Sequence, residues 1–180
     1  MALRMHPVAR AALTSGSLMA VADIACQRLT CSPSQPFRCD WRRVARFGLV
    51  GATLHGPFFY WGLAALDKRF GAATTILTAV KKTATGQVTL FPTYLAGFFL
   101  YMGLLEGRSL ADAAARLSDR FLPTYSSGSA FWPLVNLVNF RFVPPPQRLL
   151  YLNACGLLWN AFLRYYSQHP SSTQLRLASP

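Results

Sequence analysis

The stretch Phe131-Trp132-Pro133-Leu134-Val135-Asn136-Leu137-Val138-Asn139-Phe140-Arg141-Phe142-Val143-Pro144-Pro145-Pro146-Gln147-Arg148 decides the reading of this chain. It is apolar enough for a membrane, yet it holds two asparagines, four prolines and two arginines. Neither a soluble core helix nor a plain lipid-facing span ordinarily carries that mixture. It reads as polar machinery set inside a small bundle of membrane helices.

The composition supports a bilayer environment. The 180 residues are enough for one domain, 52% are hydrophobic and 13% are charged, against about 25% charged in soluble domains. A soluble protein so poor in charge would expose large apolar patches. The net charge of +12 is carried almost wholly by arginine, which suits anionic headgroups or anionic small molecules. These arginines lie between hydrophobic segments with no basic stripe interleaved with stacking aromatics, so nucleic acid is not an expected partner. Cys26, Cys31, Cys39 and Cys155 lack paired zinc spacing, and His6, His55 and His169 are scattered. No metal or cofactor is expected.

In chain order, no acidic residue precedes Asp23, the bias of a mitochondrial targeting end. Residues 8–28 read as a first span. Asp23 and Gln27, four apart, share a helical face. A carboxylate at membrane depth costs about 2.5–3.5 kcal/mol on insertion scales, so Asp23 is expected either to be paired or to sit at the interface. Ser32, Pro33, Ser34 and Pro36 mark a loop, and Asp40 can cap the next helix. Residues 44–66 form the second span, with Gly48, Ala52 and Gly56 repeating every fourth position as a packing seam. His55 borders the seam as a packing residue more readily than a proton carrier, and Pro57 should kink the helix.

Residues 84–105 form the third span, continuing an amphipathic stretch that carries Lys81, Lys82 and Gln87. The lysines mark either the inner end of the crossing or only the interface. Pro92 should kink this segment. Ser109-Leu110-Ala111-Asp112 resembles a capping box with Asp in place of Glu. The amphipathic helix it opens is expected to lie on the membrane surface and to end at Pro123. The segment 126–143 is then membrane-associated, with Asn136 and Asn139 on one face, before Pro144-Pro145-Pro146 stops it. Residues 147–166 form the last span, with Arg148 at its head and Asn153 and Asn160 on one side.

The expected fold is therefore all-α: a multi-span membrane helix bundle of about four transmembrane helices plus an interfacial amphipathic helix. It occupies residues 1–168 as one domain, with a polar tail at 169–180. Eight basic residues on one side against ten on the other do not orient it.

These residues carry a resemblance. Asp23 with Gln27; Arg43, Gly48 and Gly56-Pro57 with Trp61 and Leu66-Asp67; Lys81-Lys82, Gln87 and Pro92; and Trp132-Pro133, Asn139-Phe140, Val143-Pro144, Arg148 and Trp159-Asn160 together resemble the Mpv-seventeen and twenty-two-kilodalton peroxisomal membrane protein family. The likeness covers about Leu13 to Tyr165. It implies a small four-span protein of the mitochondrial inner membrane or the peroxisome. The chain departs from the family pattern at Tyr60, Gly86, Ser129 and Asn136. Gly86 stands where an Asp usually precedes Gln87, which is expected to leave Lys81 and Lys82 without an acidic partner and to favour anions.

Two functions follow. The resemblance implies a channel or pore for small, anionic solutes, with Asp23, Gln27, His55, Lys81, Lys82, Gln87, Asn136, Asn139, Arg148 and Asn153 as pore-lining or interhelical polar groups. Gly48, Ala52, Gly56, Pro57, Trp132 and Pro133 would pack the helices. The alternative is a non-transporting scaffold or assembly factor for a mitochondrial complex, its polar residues serving as interhelical glue worth under about 1–2 kcal/mol each. No nucleophile triad, P-loop or dinucleotide motif occurs, so no enzyme is expected. The expected partners are membrane lipid and small solutes, with self-association left open.

Overall fold

The computed structural model describes residues 5–31 and 36–168, with side chains as far as Trp159. Every regular element among them is helical. The expected loop residues Ser32, Pro33 and Ser34, the basic residues Arg4 and Arg176, and the polar tail lie outside the described residues. Asn160 and Arg164 fall where only the backbone is described.

Helix α1 (Pro7–Leu29) starts at a proline whose fixed φ suits a first turn, and His6 Nδ1 accepts from the Val8 N–H at 3.3 Å. Helix α2 (Trp41–Val50) is capped by Asp40, whose Oδ1 accepts from the Arg43 N–H at 3.0 Å. A π-helical turn, Gly51–His55, joins it to α3 (Gly56–Phe70). The wider turn falls just ahead of Pro57, which has no N–H to donate and crowds the turn before it. Helix α3 closes on Gly71, whose φ of 71° suits a residue without Cβ and whose N–H reaches the Asp67 carbonyl at 2.8 Å.

The third segment forms two pieces, α4 (Ile76–Val88) and α5 (Leu90–Leu105), broken at Thr89. Pro92 cannot donate to the Val88 carbonyl, which places the break there. Thr89 and Thr93 bond their hydroxyls back to the carbonyls of Thr85 (2.6 Å) and Thr89 (2.7 Å), which also bends helices.

Helix α6 corrects an expectation. The surface helix read as ending at Pro123 runs instead for 33 residues, Leu110–Phe142, through both Pro123 and Pro133. The supposed interfacial helix and the segment 126–143 are one element. A proline removes a single helical hydrogen bond, and here α4 and α5 pack along α6 on both sides of the lesion. Ser127 and Ser129 hydroxyls bond the Thr124 and Tyr125 carbonyls beside Pro123. Packing over the whole length outweighs the local defect. The capping box does open this helix, with the Asp112 N–H donating to Ser109 Oγ at 3.1 Å. The triple proline ends it, and a single 3-10 turn at Pro145–Gln147 leads into α7 (Arg148–Gln168).

In the α5–α6 connection, Glu106 accepts from Arg108 Nε at 3.0 Å and Arg116 Nη1 at 2.6 Å. Partial burial pushes its carboxyl up, but the two guanidiniums outweigh this and hold it below the ordinary range.

The helices pack up and down against one another around a core of Leu63, Leu66, Ala79, Val135, Phe140 and Leu152, drawn from α3, α4, α6 and α7. Helix α1 meets the α2–α3 rod through small residues. A Cβ on Gly51 would lie 2.6 Å from the Ser15 carbonyl oxygen, and one on Gly56 the same distance from that of Ala11. Gly48 faces Ala20 with more room, and Ala52 sits against Gly16. Large apolar side chains such as Trp61, Leu104, Leu134 and Leu158 are exposed around the outside. Among the described residues, two helices are long and apolar enough to cross a membrane, Pro7–Leu29 and Ile76–Leu105.

Candidate functional site

The helices line a partly open cavity of about 280 Å³. Its wall is mainly aromatic and aliphatic, including Phe47, Phe59, Phe91, Trp132 and Trp159. His55, Gln87, Tyr94, Thr124, Asn136 and Asn153 supply its polar groups, and among the described residues no acidic or basic side chain other than His55 lines it. These polar residues come from α6, α7, the α4–α5 rod and the π-turn before α3.

Several of the polar wall residues are held by neighbours. His55 Nδ1 pairs with Tyr94 Oη at 2.9 Å, while its Nε2 has no hydrogen-bond partner among the described residues. Gln87 Nε2 donates to Ser129 Oγ at 2.8 Å, and Tyr125 Oη donates to the Gln87 carbonyl at 3.2 Å. Asn136 Nδ2 donates to the Trp132 carbonyl at 3.0 Å, within its own helix. Asn153 Nδ2 donates to Ser15 Oγ at 3.0 Å, tying α7 to α1.

Charged networks stand at the two ends of the bundle. At one end, buried Asp23 accepts from Arg43 Nε at 2.8 Å and from Gln27 Nε2 at 2.7 Å. Gln27 also clasps the start of α2, its Oε1 accepting from the Asp40 N–H at 2.8 Å. Asp23 is thus paired, as one of its two readings expected. At the other end, Asp67 holds both Lys82 and Arg148. Lys82 is fully buried and Arg148 is 5% exposed. Arg148 Nη1 reaches both carboxylate oxygens at 2.7 Å, and its Nε donates to the Val143 carbonyl at 3.1 Å. Both cations lie over the Phe140 ring, at 5.6 and 5.4 Å from its centroid. The opposite face of that end belongs to the cavity, because Phe140 and Leu66 also line it. Two cations share one carboxylate, so this end carries a residual positive charge.

This arrangement overturns one expectation. Gly86 does not leave Lys82 without an acidic partner, because Asp67, one helix back, supplies it. Lys81, the adjacent residue, points outward and is exposed. Neither lysine lines the cavity, whereas Gly86 itself does. A second expectation also changes. Asn136 and Asn139, read as sharing a face, differ in surroundings: Asn136 lines the cavity, while Asn139 is fully buried with neither amide atom partnered among the described residues. Among the described residues, neither Asn136, Asn139 nor Asn153 bonds to Asp23 or Gln27. Pro57 and Pro133 sit half-buried in their helices, and Trp132 packs on Phe131 and Trp159.

The sequence did not single out Asp67 as a site residue, nor Arg43, Ser15, Ser129 and Tyr94 as partners. One signal was available for Asp67: it is the single carboxylate between Asp40 and Glu106, and buried lysines and arginines need a counter-charge.

Comparison with known proteins adds an independent line. A model of the Mpv17 / PMP22 family matches residues 103–164. The chain is 34% identical over 161 residues to the PXMP2/4 family protein 4 of Dictyostelium discoideum, an alignment covering 89% of this chain and 86% of that one. It is 33% identical to an Mpv17-like protein of Xenopus laevis, covering 90% and 77% of the two chains. To the Peroxisomal membrane protein 2 of Bos taurus it is 29% identical, covering 89% and 83%. No solved structure matches.

Proposed function

The chain belongs to the Mpv17 / PMP22 family, and from that premise we propose that it is an organellar membrane protein conducting small solutes, anions preferentially, through its central cavity. The observation that carries this reading is the cavity of about 280 Å³, flanked at both ends by ion-pair networks. Membrane interiors disfavour polar groups that meet neither partner nor water, and here polar side chains from several helices converge on one space. The ion pairs at Asp23 and Asp67 act as closures that must rearrange for a solute to pass. The second cation on Asp67 makes that mouth net positive, which favours anions.

A second reading has its own observation. Gln87 with Ser129 and Asn153 with Ser15 engage one another across helices, as interhelical glue in a scaffold for a mitochondrial complex would. Purified protein in planar bilayers separates the two. Unitary currents altered by Asp23→Asn or Lys82→Ala support conduction; silence from folded, inserted protein supports the scaffold.

The acid-free segment before Asp23 supports a mitochondrial inner-membrane location. The relative named as a peroxisomal membrane protein supports the peroxisome as the alternative. Imaging the tagged chain with and without residues 1–12 tests targeting by that end: the truncated form is expected to lose mitochondria, and continued import would place the signal in the helices.

A further inference from the structure

The span-by-span reading of the sequence and the family resemblance both suggest four crossings. We infer that α6 is a fifth, which places the two ends of the chain on opposite faces of the membrane.

The inference rests on how α6 lies against the α4–α5 rod. At one end Gly103 of α5 faces Ala113 of α6, so closely that a Cβ on Gly103 would come within 2.8 Å of the Ala113 Cβ. Midway, Gln87 bonds Ser129 at 2.8 Å, and Phe91 covers Gly128 and stacks on Tyr125. At the other end Lys82 lies over Phe140. The two elements therefore run antiparallel and side by side from Gly103 back to Lys82. At 1.5 Å per residue that shared length is roughly 30 Å, the thickness of a bilayer's hydrocarbon core, about 30 Å. Residues Ile76–Leu105 are long and apolar enough to cross. A helix that accompanies a crossing helix from end to end crosses with it.

The residues of α6 fit that position. From Phe121 to Phe140 there is no charged residue, and Arg120 and Arg141 bound the run. Such a run is as long as a span needs, about 20 residues. Its outward positions include Leu122, Leu134 and Val138, all exposed in the structure and suited to lipid. Several of its polar residues turn inward, although Ser126 and Ser127 are exposed: Thr124 and Asn136 line the cavity, and Ser129 meets Gln87. Averaged hydropathy misses the span because those inward residues lower the mean without touching lipid. Prolines are tolerated in such helices where neighbours surround them. Basic-residue counting misses it too. A fifth crossing exchanges Arg141 and Arg148 for Arg164 and Arg176 on one side, so the totals of the two sides stay as they were.

Five alternating crossings put the connections at residues 71–75 and 143–147 on the face of the N-terminus. Those at 30–40 and 106–109 share the other face with the end of α7. The test is single-cysteine labelling with a membrane-impermeant maleimide on sealed organelle membranes, in the full-length chain with its native cysteines replaced by serine. Thr74→Cys, Ser109→Cys and Gln147→Cys each alter an exposed position. Thr74→Cys and Gln147→Cys are expected to label from one side and Ser109→Cys from the other. Labelling of Gln147→Cys from the same side as Ser109→Cys overturns the fifth crossing. If the cysteine-free chain does not fold, protease protection of tags on the two ends of the otherwise native chain replaces it: opposite sides are expected, and the same side overturns the inference. The inference presumes a membrane-spanning chain. Failure of that premise looks different, because carbonate would then extract the protein and every site would label without permeabilisation.

Discussion

Replacing Asp67 by asparagine tests the energetics of the charged end most sharply. The substitution keeps shape and removes the one carboxylate that Lys82 and Arg148 share. Removing one member of a buried ion pair costs about 3–5 kcal/mol, because the remaining charge is left uncompensated. Two features pull the value toward the lower end. The Asp67 side chain is 32% exposed, and Arg148 keeps the Val143 and Phe140 carbonyls at 3.1 and 3.4 Å. Lys82 has neither relief: it is fully buried, and beyond Asp67 its ammonium lies over the Phe140 ring. We therefore expect a loss of about 3 kcal/mol. For a chain of this size that lowers the melting temperature by about 6–12 °C. Thermal unfolding of the purified protein in lipid nanodiscs, followed by tryptophan fluorescence, measures it. Adding Lys82→Met to Asp67→Asn removes the stranded cation and should recover part of the loss, a non-additivity expected only of coupled residues. A loss below about 1 kcal/mol, the scale of a surface pair, or strict additivity of the two substitutions, would refute the reasoning.

Other expectations follow from the same structure. Gly56→Ala puts a methyl 2.6 Å from the Ala11 carbonyl oxygen and should destabilise by about 1–3 kcal/mol. Gly97→Ala, whose Cβ would meet Leu54 at 3.8 Å, should change the melting temperature little. Arg43→Gln leaves buried Asp23 with Gln27 as its side-chain partner and should be restored in part by adding Asp23→Asn, as read by the same unfolding assay. The depressed Glu106 carboxyl contributes stability that is present above the ordinary Glu value of about 4.3 and is lost as pH falls through the lower folded value. Glu106→Gln should therefore flatten the acid side of the stability–pH curve, and 1 M salt should shrink the difference between the two proteins; identical curves would show that the pair does not act.

The helical class and most element starts could be read directly, because they depend on local chemistry. Asp40 and Ser109, both legible as caps, do cap helices through bonds to residues three further on. The triple proline stops α6 for an equally local reason. Pro123 misled for the opposite reason: its local penalty is real, but α4 and α5 packed alongside decide the outcome. The site divides the same way. Asp23 and Gln27 were legible as a pair four apart on a helix, and they do bond. Lys82 and Arg148 stood out as cations in apolar surroundings, but their partner lies 15 and 81 residues away, a separation no spacing rule reaches. Asn153 and Ser15 are 138 apart. The cavity is likewise a product of tertiary packing: its aromatic wall reads in sequence as ordinary core.

The central claim is conduction through that cavity, and the reversal potential of the purified protein in planar bilayers under a salt gradient tests it most directly, with Gly86→Asp as the comparison. Gly86 lines the cavity, and a Cβ there would meet Leu66 at an ordinary 3.5 Å, so the variant should fold. It would bring a carboxylate to a wall whose described residues carry none. We expect anion-preferring unitary currents from the native chain and a shift toward cations in the variant. Silence from folded, inserted protein, or a selectivity that Gly86→Asp leaves unchanged, would contradict the account.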